Sequence, residues 1–294
     1  MEKEKKVVFI TGASSGIGKA VAIYLASKGL VVYGTSRKGR TDKELDKFHV
    51  KMLKMDVRED QSVSEAVEEV ISREGRIDVL FSNAGTGISG PLEETSIEEY
   101  KDLFESNFFG MVRVMKEVLP HMRRAGKGLV INSSSIGGLI GLPYQGVYSS
   151  SKFAVEGFSE ALSKELKPFG IKVVILEPGD FKTGFTKGRK FSSLIKKNSA
   201  YYDDFLKTVS VFEYDEVNGC NPELIGKLLY KIINTNNPKL RYPVGYLNQK
   251  LSLVLKRFLP ERIFEKIIID YYMGKGIKSN HELERIDKRI RLEE

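Results

Sequence analysis

With 294 residues, of which 41% are hydrophobic and 10% aromatic, the chain can bury a sizeable core, which excludes a disordered protein. The formal charge of +8 falls mostly in residues 180–294, where 22 Lys/Arg stand against 15 Asp/Glu as scattered lysines. A solvated surface accounts for that excess, so nucleic-acid binding is not expected. A single cysteine, Cys220, excludes an internal disulfide, and His49, His121 and His281 offer no metal-ligand spacing.

In chain order, a charged N-terminus leads into the apolar run Val7–Ile10, too short for a signal-peptide core of about 7–15 residues. No stretch approaches the roughly 18 uncharged apolar residues of a membrane span, so a cytoplasmic address is expected. Further Val/Ile/Leu-rich runs at 30–33, 52–55, 79–81, 129–131 and 173–176 predict buried parallel strands. Between them, helical periodicity runs over 16–28, 41–48, 60–74, 97–124 and 147–168. Ser96-Ile-Glu-Glu99 reads as a capping box at one helix start. Strands alternating with helices predict an α/β fold, a doubly wound parallel sheet of Rossmann type in a single domain.

After Pro178-Gly179 the pattern weakens, and residues 180–221 are aromatic but irregular. Asn221-Pro222-Glu223 opens a helix to about 234, and residues 241–245 suggest a last strand. Pro260 and Gly274 frame a helix whose Phe264, Ile267, Ile268, Tyr271 and Tyr272 form one apolar stripe. Ser279-Asn-His-Glu282 would cap a final charged helix. Residues 1–245 are thus expected to form the catalytic domain and residues 246–294 a helical extension.

The first strand runs directly into Thr11-Gly12-Ala13-Ser14-Ser15-Gly16-Ile17-Gly18, which opens the first helix. There Gly12 permits a sharp turn, Gly16 admits a pyrophosphate to backbone donors, and Gly18 allows close helix packing. The helix N-terminus adds free N–H groups and partial positive charge for phosphates. A carboxylate after the second strand would hold the ribose hydroxyls of NAD, but no acid occurs between Leu30 and Thr41. Thr35-Ser36-Arg37-Lys38 stands there instead, and the Arg37 guanidinium suits the 2′-phosphate of NADP.

Tyr148 and Lys152 stand one helical turn apart and share a face. An ammonium beside a tyrosine favours the phenolate and draws its pKa towards neutrality. Asn132-Ser133-Ser134-Ser135 ends a strand on the carboxyl edge, where a serine hydroxyl could bond a substrate oxygen or simply close its own turn. Asn107 lies among Leu103, Phe104, Phe108 and Met111, so its amide needs defined partners, structural or catalytic.

Taken together, Thr11-Gly-x-x-x-Gly-x-Gly18, Asp56-Val57, Asn83-Ala84-Gly85, Asn107, Ser135, Tyr148-x-x-x-Lys152 and Pro178-Gly179-x-x-x-Thr183 resemble the short-chain dehydrogenase/reductase family over roughly residues 6–185. Gly138 to Gly157 and residues 241–245 are similar to its hydroxysteroid and retinol dehydrogenase branch. The resemblance selects Ser135 among the serines and implies catalysis by Ser135, Tyr148, Lys152 and Asn107. Tyr148 would exchange the substrate proton and Ser135 orient the oxygen. Lys152 would hold the nicotinamide ribose, and Asn107 a relay water. The cofactor would rest on Gly12, Ser14, Ser15, Gly16, Ile17, Gly18, Arg37, Asp56, Val57, Asn83, Ala84, Gly85, Tyr148, Lys152, Pro178, Gly179 and Thr183, with no metal. Ser15 stands where some NADP-binding members carry a basic residue, so the NADP expectation rests on Arg37.

Family members place a substrate lid where residues 180–221 fall, and its aromatics suggest an apolar steroid-, retinoid- or lipid-like alcohol or carbonyl. Packing beneath a long loop would explain the same residues. The expected function is NADP(H)-linked interconversion of such an alcohol and carbonyl by a homodimer or homotetramer. The alternatives are a 3-oxoacyl reductase of fatty-acid type and a non-catalytic NADPH sensor. For the 260–273 stripe, packing on the domain or a partner, membrane contact and a role as a lid remain open.

Overall fold

The computed structural model of the protein describes residues 5–274 and 280–293. Its strands are β1 (Val7–Ile10), β2 (Val31–Ser36), β3 (Lys51–Lys54), β4 (Val79–Ser82), β5 (Ile88–Ser89), β6 (Gly128–Ser133), β7 (Ile171–Pro178), β8 (Lys190–Phe191) and β9 (Arg241–Val244). A 7-stranded sheet has the order β3-β2-β1-β4-β6-β7-β9, every pair parallel. The order reverses between β1 and β4, so the chain leaves their carboxyl ends in opposite directions and opens a crevice there.

Strand alternation divides the core. Val7 and Phe9 of β1 pack into one buried cluster, Val8 and Ile10 into the other. Both faces are covered, which is why these strands read as unbroken apolar runs rather than alternating ones. On the first face lie α3 (Asp60–Glu74), α5 (Gly110–Arg124) and α6 (Gly146–Glu165), and on the second α1 (Gly16–Ser27) and α9 (Glu223–Ile233), after the short α2 (Lys43–Lys47). α5 buries Met111, Val114, Met115, Val118 and Met122, each contributing about 1.5–3 kcal/mol of apolar transfer.

The helix expected over 97–124 is a composite of α4 (Ile97–Phe104), a π turn (Glu105–Phe109) and α5. Ser96 caps α4 as expected, its Oγ accepting from Glu99 N–H while Glu99 accepts from Ser96 N–H.

Beyond β7 the structure is more regular than the sequence suggests. Residues 180–221 contain α7 (Phe185–Gly188), β8 and the long α8 (Tyr202–Val217), and β8 pairs with β5. Phe191, Ile195, Tyr202 and Phe205 form a separate core with Ile286 and Ile290 of α12 (Asn280–Glu293). The Ser279 cap expected for that helix lies outside the described residues. Between β9 and α12 come α10 (Leu247–Phe258) and α11 (Glu261–Tyr272). α11 packs on α8: Phe264 is buried, Tyr272 stacks on Phe212 at 4.5 Å, and Tyr271 donates to Asp215 at 2.8 Å. Among the described residues no helix is long and apolar enough to cross a membrane.

Candidate active site

The glycine turn lies at the crevice. Gly12 and Gly16 have φ of +70° and +56°, values that suit glycine. A Cβ on Gly12 would come within 2.9 Å of Ala84 Cα, and one on Gly18 would collide with the Gly12 carbonyl oxygen. Neither glycine tolerates a side chain. Thr11 Oγ1 accepts from the N–H groups of Asn83 and Ala84 at 2.9 Å, and Asn83 Nδ2 donates back to the Thr11 carbonyl at 3.0 Å. The Asn83 side chain therefore fastens the loop after β4 to the turn after β1. Thr11 owes its part to tertiary contacts about seventy residues away, which no local pattern announces.

The turn fits an anionic group. α1 begins at Gly16, its N-cap Ser15 makes no side-chain cap, and its first turn holds no acid, so N–H donors there are left for a phosphate. Exposed Ser14 and Ser15 and partly buried Ile17 complete this cradle. Thr183 sits across from it, its Cβ 3.5 Å from where a Gly16 Cβ would be. Arg37 is exposed just beyond β2, and Asp42, the first acid after that strand, is held by Lys19 at 2.6 Å. Asp56 follows β3, its carboxylate accepting from Arg58 N–H at 3.0 Å, while Val57 packs where Gly110 leaves room.

The chemical groups gather at the carboxyl ends of β6 and β7. α6 carries Tyr148 and Lys152 on one face, with Lys152 Nζ 5.8 Å from the Tyr148 ring centre. Lys152 is buried and donates to the Ser133 carbonyl at 2.9 Å. Burial brings its pKa down to about 8, with Glu156 one turn along acting against the shift. Burial pushes the Tyr148 hydroxyl up to about 12, opposed by its hydrogen bond with Ser135. The expected lowering of Tyr148 by Lys152 is absent from this geometry: desolvation prevails, and the ammonium is turned to Ser133.

The three serines separate by position. Ser133 offers its carbonyl to Lys152, and Ser134 is buried with Oγ towards Gly138. Ser135 Oγ reaches Tyr148, accepts from Gly137 N–H at 3.0 Å and donates to the Pro178 carbonyl at 3.4 Å. Gly179 N–H donates to the Val244 carbonyl, which pins the loop after β7 to β9.

Asn107 projects from the π turn. Its Oδ1 accepts from Thr86 N–H at 2.9 Å, and its Nδ2 donates to the Thr86 carbonyl at 3.0 Å and Ser151 Oγ at 3.2 Å. Exposed Gly85 lies beside both this amide and Lys152: a Cβ there would lie 3.1 Å from Asn107 Oδ1 and 3.8 Å from Lys152 Nζ.

Of the aromatics after Pro178-Gly179, Phe185 lies over the site, its ring 5.8 Å from Tyr148. Most of the others pack the core beneath, Phe181 in the sheet cluster and Phe191, Tyr202 and Phe205 against α12. Behind Phe185, buried Arg189 pairs with Glu216, which also accepts from Thr186 at 2.6 Å. Nothing in the sequence announces this pair, because its members are 27 residues apart and neither sits in a motif.

A parallel sheet with this strand order, a glycine turn at its switch point and a Ser–Tyr–Lys cluster beside it define an oxidoreductase of the dinucleotide-binding class. The chain belongs to the short chain dehydrogenases, whose family model matches residues 6–191. It is 48% identical over 269 residues to a 3-ketodihydrosphingosine reductase of Bacteroides thetaiotaomicron, covering 92% of this chain and 98% of that one. It is 34% identical over 275 residues to 17-beta-hydroxysteroid dehydrogenase type 1 of Homo sapiens, covering 87% and 79% of the two chains, in keeping with the branch resemblance. The solved structure of ElxO with NADP bound superposes with a TM-score of 0.66 at 28% identity, covering 83% of this chain and all of that one. Solved neighbours of the chain thus hold a nicotinamide cofactor, as ElxO does with NADP and a variant of it does with NADPH.

Proposed function

We propose that the chain catalyses NADP(H)-linked interconversion of a lipid-like ketone and its secondary alcohol, with a long-chain 3-keto lipid of the 3-ketodihydrosphingosine kind as substrate. The observation that carries this reading is the meeting of Ser135, Tyr148 and Lys152 beside the glycine turn and beneath Phe185. The 48% identity to a 3-ketodihydrosphingosine reductase supports the substrate class, and the acid-free end of β2 with Arg37 supports NADP.

When bound, the cofactor supplies or takes the hydride at the carbonyl carbon. The protein's part is to place the oxygen and move its proton. Ser135 Oγ donates to the carbonyl oxygen and holds it as negative charge develops. Tyr148 gives its phenolic proton to that oxygen in reduction and recovers it in oxidation. Lys152, on the same face of α6 as Tyr148, holds the nicotinamide ribose. Asn107, with the Thr86 backbone, steadies the wall on which a relay water would sit. Gly12 to Gly18, Asp56 to Val57, Asn83 to Gly85, Pro178, Gly179 and Thr183 form the cofactor bed, Phe185 excludes water, and the enzyme works as a homodimer or homotetramer in the cytoplasm.

The test follows NADPH and NADH oxidation against 3-ketodihydrosphingosine, steroid, retinoid, 3-oxoacyl and small carbonyls. Turnover of the long-chain ketone with NADPH, falling at least a hundredfold in Tyr148→Phe with NADPH binding intact, is expected. Arg37→Ala should weaken NADPH at least tenfold and leave NADH unaffected. Preference for small polar carbonyls, or turnover surviving Tyr148→Phe, would refute the reading.

A further inference from the structure

α10 is docked by its polar side. Gln249 accepts from Asp180 N–H at 3.2 Å and donates to the Asp180 carboxylate, while Lys256 donates to the Leu139 carbonyl and lies 5.4 Å from the Phe153 ring. No residue of the helix is buried. At about 100° per residue, Leu247, Leu251, Val254 and Phe258 fall within an arc of roughly 60° on the other side. They are 77%, 50%, 49% and 75% exposed. Single exposed leucines need no explanation, but a continuous stripe of four large apolar side chains turned to water marks a contact surface.

The border of that stripe says which contact. α10 contains no acid, and Lys250 and Arg257 lie along one edge, within roughly 90° of the stripe's centre. Their stems can lie along apolar surface while their charges reach anionic headgroups. An antiparallel pairing of two copies would set this cationic edge against itself, whereas lipid phosphates complement it.

We propose that α10 seats the protein on an anionic bilayer, lying in the headgroup plane with Leu247, Leu251, Val254 and Phe258 in the acyl boundary. This places the contact on α10 and away from Phe264, Tyr271 and Tyr272, which α11 turns inward.

The full chain is sedimented with vesicles of phosphatidylcholine alone and with about a third phosphatidylglycerol. At least tenfold stronger partition onto the anionic vesicles is expected, weakening as salt is raised. Leu251→Glu with Phe258→Ser should remove it, and Lys250→Glu with Arg257→Glu should lower it at least tenfold. Thermal melts and NADPH binding, unchanged in both variants, verify folding without reference to any substrate, so an error in the substrate reading leaves this test intact. Absence of sedimentation, or equal sedimentation of wild type and both variants, overturns the proposal. So does a result in which Leu251→Glu with Phe258→Ser only dissociates an oligomer, which would assign the stripe to a second copy.

Discussion

At Lys152 an ammonium is held inside the protein, and that has a thermodynamic signature. Its pKa is about 8 in the folded chain against 10.5 as the ordinary value, so between those values the unfolded chain binds the proton and the folded one does not. Stability therefore rises with pH across that window, and below it the buried charge costs about 3 kcal/mol. Lys152→Met removes the charge and loses only the bond to Ser133, worth about 1 kcal/mol. The variant should be more stable than wild type by about 1–2 kcal/mol at neutral pH, with the gap closing as pH rises above about 8 and reversing before pH reaches 10.5. Urea melts at neutral and high pH check this, and a variant no more stable at neutrality would count against a buried ammonium. At this scale the sequence was informative about residue types and less so about geometry. Helical spacing puts Tyr148 and Lys152 on one face, but such a pair is commonplace. Singling it out took its place after a strand and loop, as choosing Ser135 among three adjacent serines took the family's pattern. The structure distinguishes them because successive residues at a strand end point in different directions.

Among the elements, the π turn illustrates what periodicity cannot see. Apolar spacing over 97–124 reads as one helix, since a single wide turn shifts the phase by less than the width of an apolar stripe. The trace it leaves in the sequence is Asn107, a polar residue among apolar ones, which the turn aims at Thr86 and Ser151. Asn107→Ala leaves the Thr86 N–H and carbonyl without these partners and should cost about 1–3 kcal/mol. The expected readout is a lower urea midpoint at unchanged slope, together with a larger fractional loss in kcat than in cofactor affinity. An Asn107→Ala protein as stable as wild type would remove the structural role. The irregular reading of residues 180–221 failed for a different reason. α8 is buried against α7, α11 and α12 on several sides and shows no single apolar face to detect.

Across the whole molecule, α12 is tied by charge to the elements beside the site. Glu213 of α8 is buried and bonded by Arg285 and Arg289 of α12, and Arg289 also donates to the Arg189 carbonyl at 2.9 Å beside Phe185. Arg289→Ala leaves Glu213 with Arg285 alone and frees one end of the segment covering Tyr148. We expect a loss of about 1–3 kcal/mol, below the full cost of an unpaired buried charge because Arg285 remains. Glu213→Gln combined with Arg289→Ala should recover part of it, and a double variant no better than the single one would argue that packing, not charge, holds α12. These contacts span more than seventy residues, so only the fold brings them together.

The strand order also has a consequence during synthesis. β1 lies at the centre of the sheet, flanked by β2 and β4, and its Val8 pairs with Val32 on one side and Val79 on the other. The first side can close within one helical crossover, but the second waits until some seventy residues have left the ribosome. For that interval an apolar, uncharged strand carries an open hydrogen-bonding edge, the kind of surface that nascent-chain chaperones shield and that pairs with a neighbouring chain when they do not.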